Sequence, residues 1–276
     1  MGSIKENVRR IIPSIVYDIL RSGRDTILRM ADWPTAYLHP WRQDSIQRLK
    51  GYQNQFLGKR CFVIGNGPSL KKTDISLLKN EYTFGMNRVY LAFEEWGFQT
   101  SFLVSVNDLV IEQCYQDFQR LTIPSFFSWR AKNLLYPTGK PANNTHFLYT
   151  TYTGKKFSRL SHARFWEGAT VTYVCLQLAF CMGFKEVILI GVDHNFDTKG
   201  NANQTIISSG DDPNHFSADY FGKGFRWQLP DLKTSEIAYQ LADKTYRTDG
   251  RKIIDATVGG KLTVFPKVDY AGLFNK

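Results

Sequence analysis

The stretch at residues 60–70, RCFVIGNGPSL, decides how the chain is expected to fold. Residues 61–64 are apolar and typical of a buried strand, Gly65 ends the run, and a helix near Asp74–Lys79 is predicted to follow. Glycines at such a junction let backbone N–H groups approach a bound anion, beside the positive end of the helix dipole. No Gly-Lys-Ser/Thr follows, and the glycine spacing is not that of the dinucleotide fingerprint. A phosphate-binding turn and a plain strand-to-helix turn both stay open.

Strand-like and helix-like patterns alternate from this stretch onwards. Apolar runs predict strands at Arg60–Ile64, Tyr82–Met86, Ser101–Val106, Pro124–Trp129, His146–Thr151, Lys185–Val192 and Ile253–Ala256. Helical spacing predicts helices at Asp74–Lys79, Val89–Trp96, Leu109–Arg120, Thr170–Met182 and Thr234–Thr248, the last capped by Thr234 or Ser235. This alternation predicts an α/β, Rossmann-like fold, with a mostly parallel sheet and helices on both faces.

The first 58 residues differ from the rest in pattern and charge. Apolar residues recur every three or four positions from Ile4 to Met30, and a helical pattern resumes from Trp41 to Leu57. Residues 1–60 hold 11 lysines and arginines against five acidic residues, in a chain of net charge +10. We expect residues 1–58 to be a basic amphipathic helical segment and residues 59–276 to be the Rossmann-like domain. The segment would face an anionic membrane surface, pack on the domain or form a homo-oligomer interface; a solvated helix face is the alternative.

The sequence carries no pattern of a signal peptide and no apolar run of about 18 residues. We therefore expect a cytoplasmic protein, either free or peripheral at the inner face of a membrane. Four cysteines, at positions 61, 114, 175 and 181, form no CxxC pair. They are predicted to be buried free thiols in a reducing compartment.

Polar residues follow four of the predicted strands. Asn66, Asn87, Asn107 and Asp193 each come at or just after a strand end, and parallel strand ends meet at the sheet edge where open α/β sheets bind ligands. Asparagine offers donors and an acceptor without charge, which suits ribose, base edges and sugar hydroxyls better than a magnesium–triphosphate site. The candidate ligand-binding residues are Asn66, Gly67, Pro68, Ser69, Asn87, Arg88, Asn107, Asp108, Thr170, Asp193 and His194.

A second polar cluster lies in residues 195–230, which lack periodicity and are predicted to form a lid over the active site. Within it, His215 is one of only five histidines and could accept a proton from an acceptor hydroxyl. A surface-loop histidine is the alternative. Asp211 and Asp212 would need further ligands to hold a metal, and no metal or resident cofactor is predicted.

Together these residues resemble two related families. The chain looks like the 6-hydroxymethylpterin diphosphokinase-like family of bacteria and archaea. It is also similar to the bacterial CMP-sialic-acid-dependent sialyltransferases of lipooligosaccharide synthesis. The resemblance covers roughly residues 59–270 and is carried by residues 65–70, Asn87, Asn107 and the block Thr170–Asp193. Residues 214–216 and 255–270 look more like the diphosphokinase-like family.

The resemblance to the sialyltransferases implies a nucleotide-sugar fold. It implies that Asn66, Asn87 and Asn107 surround CMP and the donor, that the helix start near Thr170 borders the donor, and that a lid histidine is the base without a metal.

Two features of the sequence depart from the sialyltransferase pattern. Those enzymes place two tyrosines after the residue matching Asp193 to support the leaving phosphate, whereas residues 194–196 of this chain are His-Asn-Phe. The position that matches the lid histidine of those enzymes is either His215 or Asp219, so the base is one of these two residues.

These observations favour an inverting glycosyltransferase of surface-glycan synthesis. Its donor would be a nucleotide sugar, with CMP carrying an acidic sugar as the first expectation, and its acceptor a glycan or lipid-linked glycan. Nucleic acid is not an expected partner. One alternative is a pterin pyrophosphokinase that uses ATP and magnesium bound by Asp108, Asp193 or Asp211/Asp212. Another is a non-catalytic protein of a polysaccharide cluster.

Overall fold

The computed structural model describes residues 32–152, 154, 156–195 and 200–275, together with Gly23, Ile27 and Met30. The α-helices are α1 (Trp33–Leu38), α2 (Pro40–Tyr52), α3 (Phe93–Trp96), α4 (Asp108–Arg120), α5 (Lys132–Leu135), α6 (Val171–Cys181) and α7 (Leu232–Thr248). The strands are β1 (Arg60–Ile64), β2 (Tyr82–Met86), β3 (Phe102–Ser105), β4 (Ser125–Ser128), β5 (Thr145–Thr151), β6 (Arg164–Trp166), β7 (Glu186–Ile190), β8 (Thr205–Ile207), β9 (Arg226–Gln228) and β10 (Lys252–Asp255). The helical pattern from Ile4 to Met30, which Pro13 and Gly23 interrupt and which predicts two short helices, lies mostly outside the described residues.

Eight strands form one sheet in the order β10-β7-β1-β2-β3-β4-β5-β6. Every pair of neighbours in this sheet is parallel. The chain moves outwards from β1 to β6, returns through α6, and adds β7 on the other side of β1. The strand order therefore reverses between β1 and β7, which makes the carboxyl ends of these two strands the expected ligand crevice. The α/β prediction is confirmed.

Successive residues of β1 pack into two different layers. Cys61 and Val63 belong to a buried cluster with α6 and α7, while Phe62 and Ile64 belong to a cluster that includes α4. In α6, every residue from Thr172 to Cys181 is buried, because the helix is covered by the sheet on one side and by α7 on the other. The four cysteines are buried and unpaired, as predicted. No described helix is both long and apolar enough to cross a membrane.

Helix α2 covers an open part of the sheet edge. Strand β4 pairs with the first half of β5 on one side, but on the other side β6 pairs only with Tyr149, Thr150 and Thr151. The outer side of the first half of β5 therefore has no strand beside it. The Phe147 amide instead donates to Ser45 Oγ at 3.0 Å, and the Arg48 guanidinium donates to the Thr145 carbonyl at 3.1 Å. Side chains from α2 thus satisfy backbone groups that a lone strand edge would leave unpaired.

Several predicted element bounds were wrong. The predicted helix Asp74–Lys79 is a 3₁₀ helix, Ile75–Leu78, and the predicted helix Val89–Trp96 is a 3₁₀ helix, Asn87–Ala92, followed by α3. Helix α7 begins earlier than predicted, because the carboxylate of Asp231, rather than Thr234 or Ser235, accepts the Thr234 amide and caps it. The short strands β6, β8 and β9 were not predicted, since three-residue runs carry too little periodicity to detect.

The backbones of β1 and β7 meet at their carboxyl ends with almost no space between them. The Gly65 amide donates to the Ile190 carbonyl at 2.7 Å, and the Gly67 amide donates to the Gly191 carbonyl at 2.9 Å. A Cβ atom at Gly65 would overlap the Gly191 carbonyl, and a Cβ atom at Gly67 would overlap the Asp193 carboxylate. Gly191 has φ +66°, a conformation that side chains disfavour. Glycine is therefore required at all three positions.

We predict that Gly65→Ala lowers the free energy of unfolding by about 1–3 kcal/mol or more, because the new methyl group must displace the backbone of a neighbouring core strand. Gly51→Ala is the control, since Gly51 lies in α2 and no atom lies within 4 Å of the place its new methyl group would take. The control should be neutral or stabilising by up to about 1 kcal/mol. Urea unfolding of both variants measures the difference, and equal effects would refute the packing argument.

We also predict an acid-sensitive step in stability from His146. Burial lowers the pKa of His146 from 6.5 to about 4, with the ring stacked on Phe126. Because the folded state holds the neutral ring, stability is complete above pH 6.5 and is lost as pH falls from 6.5 towards 4. The loss is on the order of 3 kcal/mol. Urea unfolding at several pH values should show this slope, and the slope should shrink in His146→Gln but persist in His39→Gln.

Candidate active site

A cleft of about 710 Å³, counting the space open to solvent at its mouth, lies at the predicted sheet edge. Residues after β1, β2 and β7 line one part of it, and the start of α6, the first turns of α7 and the lid line the rest. The predicted residues that line it are Asn66, Gly67, Asn87, Thr170, Asp193, His194 and His215. Its position at the reversal of strand order matches the general site of ligand binding in open α/β sheets.

Asn66 bridges two strands and the lid. Its side-chain Nδ2 donates to the Met86 carbonyl at 3.0 Å, and its own carbonyl accepts the Phe216 amide at 2.8 Å. The residue is 8 % exposed, and Oδ1 has no hydrogen-bond partner among the described residues. A buried acceptor without a partner is costly. Asn66 Oδ1 is therefore suited to accept a hydrogen bond from a ligand N–H or O–H.

Asn87 is held in an unusual backbone conformation beside Asn66. Its φ is +48°, and its Oδ1 accepts a hydrogen bond from Ser105 Oγ at 3.0 Å. Ser105 is fully buried in β3. Asparagine tolerates the left-handed region better than most residues, so the turn after β2 presents this side chain to the cleft.

The Gly-Asn-Gly-Pro-Ser turn is closed by Asp193. Asp193 Oδ2 accepts from Ser69 Oγ at 2.7 Å, and Oδ1 accepts the Ser69 amide at 3.2 Å. Burial raises the pKa of Asp193, and the two Ser69 hydrogen bonds partly oppose that rise. Pro68 and Ser69 are not among the residues that line the cleft. The donors predicted for a ligand phosphate at Ser69 already have a protein partner.

Asn107 and Asp108 also lie outside the cleft. Asn107 Oδ1 accepts the Leu109 amide at 3.0 Å and caps α4. Asp108 pairs with Arg130 at 2.7 Å, and that guanidinium also pairs with the buried Glu167. Asn107 follows β3, which lies one strand farther than β2 from the β1–β7 junction. Its side chain therefore caps α4 and does not reach the cleft.

The N-terminus of α6 opens onto the cleft. Thr170 Oγ1 accepts the Thr172 amide at 3.3 Å and lies 3.3 Å from the Tyr239 hydroxyl. Ala169, just before it, has φ +60°, so the chain turns sharply into the helix. The positive end of the α6 dipole and its first amides therefore face the cleft, an arrangement that favours anions.

The lid carries a histidine–aspartate pair. His215 Nδ1 lies 2.7 Å from Asp212 Oδ2, whose side chain is 2 % exposed, and Asp212 Oδ1 accepts the Asn214 amide at 2.9 Å. The imidazole stacks on Tyr220 with ring centroids 4.1 Å apart and planes 9° apart. An aspartate on Nδ1 fixes the tautomer and leaves Nε2 as the basic atom.

Arg88 holds the lid to the sheet. Its Nη1 donates to the Asp219 carbonyl at 3.0 Å and also to the Tyr220 carbonyl, and its guanidinium lies over the Phe225 ring at 5.2 Å. Arg88 itself does not line the cleft, and the Asp219 side chain is exposed outside it. Of the two predicted bases, only His215 lines the cleft.

Residues 37–199 match the family described as MptE-like, 6-hydroxymethylpterin diphosphokinase MptE-like. The chain belongs to the MptE-like family. This confirms the diphosphokinase-like resemblance. No curated protein matches the chain.

Among solved structures, the MptE-like chain is similar to MAf glycosyltransferase from Magnetospirillum magneticum AMB-1, with a TM-score of 0.50 and 15 % identity. That alignment covers 93 % of this chain and 43 % of the other, so the chain spans less than half of that protein. At this identity the similarity shows a shared fold.

Two acidic partners of histidines in this MptE-like chain were not predicted from the sequence. Asp212 lies three residues before His215, a spacing that could have indicated the pair. Glu236 lies 42 residues after His194 and bonds its Nε2 at 2.9 Å, a contact that only the docking of α7 creates. No cluster of three metal-binding side chains occurs among the residues that the structure describes.

We predict that Arg88→Gln loosens the lid, because the Asp219 and Tyr220 carbonyls lose a charged donor worth about 1.5–3 kcal/mol. Amide hydrogen exchange of residues 211–227 should then accelerate by roughly 10-fold or more. Arg120→Gln is the control, since Arg120 is exposed and its ion pair with Asp117 is long, at 3.8 Å. Unchanged exchange in Arg88→Gln would show that the lid is held by its aromatic packing alone.

Proposed function

We propose that this protein is an inverting glycosyltransferase that uses a nucleotide-activated sugar, with His215 as the general base. The observation that carries the proposal is the Asp212–His215 pair, which places an oriented imidazole in the cleft at the strand-order reversal. The fold shared with a glycosyltransferase supports the reaction class.

The chemistry follows from the orientation of the imidazole. Asp212 accepts the Nδ1 proton, so Nε2 takes the proton of an acceptor hydroxyl. The acceptor oxygen then bonds to the anomeric carbon of the donor while the bond from that carbon to the nucleotide phosphate breaks. Attack on the face opposite the leaving group inverts the anomeric configuration. The stacked Tyr220 fixes the ring plane during this transfer.

The donor side of the cleft is formed by neutral amides and a helix N-terminus. Asn66 Oδ1 offers a buried acceptor to a base or sugar group, and the first turn of α6 offers amides to a phosphate. We infer a nucleotide sugar, with a CMP-linked acidic sugar as the leading candidate. The acceptor would be a glycan or lipid-linked glycan at the inner face of a membrane, reached through the basic residues 1–58.

The family description favours a second candidate, a pterin pyrophosphokinase that uses ATP and magnesium. Three of the four carboxylates considered for such a reaction have other partners in this fold: Arg130 for Asp108, Ser69 for Asp193 and His215 for Asp212. The fourth, Asp211, is exposed. These contacts are the reason to rank it second. Release of AMP from ATP in the presence of hydroxymethylpterin and magnesium would establish it.

We predict that sugar transfer from a panel of nucleotide sugars falls by about 10²- to 10⁴-fold in His215→Ala, because the acceptor loses its base. Asp212→Asn should reduce the rate less, and Asp219→Ala should leave it near wild type, because that side chain lies outside the cleft. Initial rates, with and without EDTA, measure all three variants.

The assay separates the candidates by outcome. Binding of no cytidine or uridine nucleotide at millimolar concentration would refute the glycosyltransferase proposal. Equal losses in Asp219→Ala and His215→Ala, with both proteins folded by circular dichroism, would refute the assignment of the base.

A further inference from the structure

A second histidine–carboxylate pair lies in the same cleft. His194 follows β7, and its Nε2 lies 2.9 Å from Glu236 Oε1 in α7. The His194 side chain is only 7 % exposed and its φ is +54°, a left-handed conformation that residues other than glycine rarely adopt. Such strained residues cluster at functional sites.

The start of α6 adjoins this pair through Tyr239. The Tyr239 ring centroid lies 6.2 Å from that of His194, and the Tyr239 hydroxyl lies 3.3 Å from Thr170 Oγ1 at the cap of α6. All three residues line the cleft. The amide end of an 11-residue helix and a nearly buried imidazole therefore border the same space.

The other ring nitrogen of His194 is available to a ligand. Nε2 bonds Glu236, whereas Nδ1 has no hydrogen bond to any of the described residues. The Glu236 carboxylate accepts the Nε2 proton, and in a protonated imidazole Nδ1 is a donor as well. The neighbouring Asp193 carboxylate does not compete, because both its oxygens face Ser69.

We propose that protonated His194, oriented by Glu236, and the first turn of α6 bind the phosphate of the leaving nucleotide. The inference rests on the proposed glycosyl transfer and assigns the group that supports its leaving side. A site of this chemistry binds an oxyanion. We assign the oxyanion to the nucleotide phosphate, and the test must distinguish it from the carboxylate of an acidic sugar.

The proton balance uses both histidines. The acceptor proton moves to His215 Nε2 as the new carbon–oxygen bond forms. The electrons of the broken bond stay on the phosphate oxygen, which takes a proton from His194 Nδ1. Glu236 does not touch the phosphate in this scheme and is a positioning residue. Both imidazoles return to their starting states when protons exchange with solvent.

The test measures oxyanion binding without turnover. Inorganic phosphate is titrated into the 276-residue chain while histidine side-chain ¹⁵N signals are recorded. The chain has five histidines, and single His→Gln variants assign their signals. We expect the His194 signals to shift, and phosphate affinity to fall by about 10-fold in His194→Gln. A shift confined to other histidines would overturn the proposal.

The Glu236→Gln variant distinguishes a role of Glu236 in orienting His194 from a direct effect of its negative charge on the phosphate. Removal of a negative charge would by itself tighten phosphate binding, whereas our proposal expects about 3- to 10-fold weaker binding because His194 loses the carboxylate that orients its ring. Glu94→Gln, an exposed carboxylate in α3, is the matched control and should not change the affinity. Tighter binding in Glu236→Gln would refute the positioning role.

A final comparison identifies the source of the oxyanion. CMP should lose affinity in His194→Gln while cytidine does not, and N-acetylneuraminate, an acidic sugar without phosphate, should be unaffected. Loss confined to N-acetylneuraminate would assign His194 to the sugar carboxylate and overturn the phosphate assignment. Phosphate binding at His194 in a protein that transfers no sugar would refute the proposed function and leave the oxyanion site in place.

Discussion

The close approach of the β1 and β7 backbones is the constraint on which the rest of the molecule depends. Gly65, Gly67 and Gly191 allow two core strands to end side by side, with amide–carbonyl bonds joining the loops beyond them. The strand order reverses at this point, and residues from both loops line the cleft at the carboxyl ends of these strands. Asn66 and Asp193, one from each loop, line that cleft because of this contact.

The cleft combines a rigid part with a part added by later segments. The asparagines and Asp193 are fixed by strand ends and by hydrogen bonds to buried groups such as Ser105 and the Met86 carbonyl. His215 comes from the lid, where Arg88 and a stack of aromatic rings hold it. In the proposed transfer, the groups at the strand ends would hold the donor while the acceptor enters beside His215 of the lid.

Among the residues predicted for the site, those whose position follows from the sheet alone lie at the cleft. Asn66, Asn87 and Asp193 follow strands near the reversal point, and all three line the cleft. Asn107 follows the same rule in sequence, yet it caps α4, because an asparagine after a strand can equally bond the first amides of its own helix. Ser69 was predicted to donate to a ligand, but its hydroxyl donates instead to the carboxylate of Asp193, which lies 124 residues later in the chain.

The alternation of apolar runs by itself determined the α/β class, the parallel sheet and the edge where the polar residues gather, because these depend on local periodicity and on short connections. The sequence also singled out His215 and His194. Only the tertiary structure decided which acids these histidines face, which asparagines reach the cleft and that α2 closes the edge of β5. Asp212 is close to His215 along the chain, but the other contacts join residues far apart, and their geometry is set by the docking of whole elements, which no local pattern encodes.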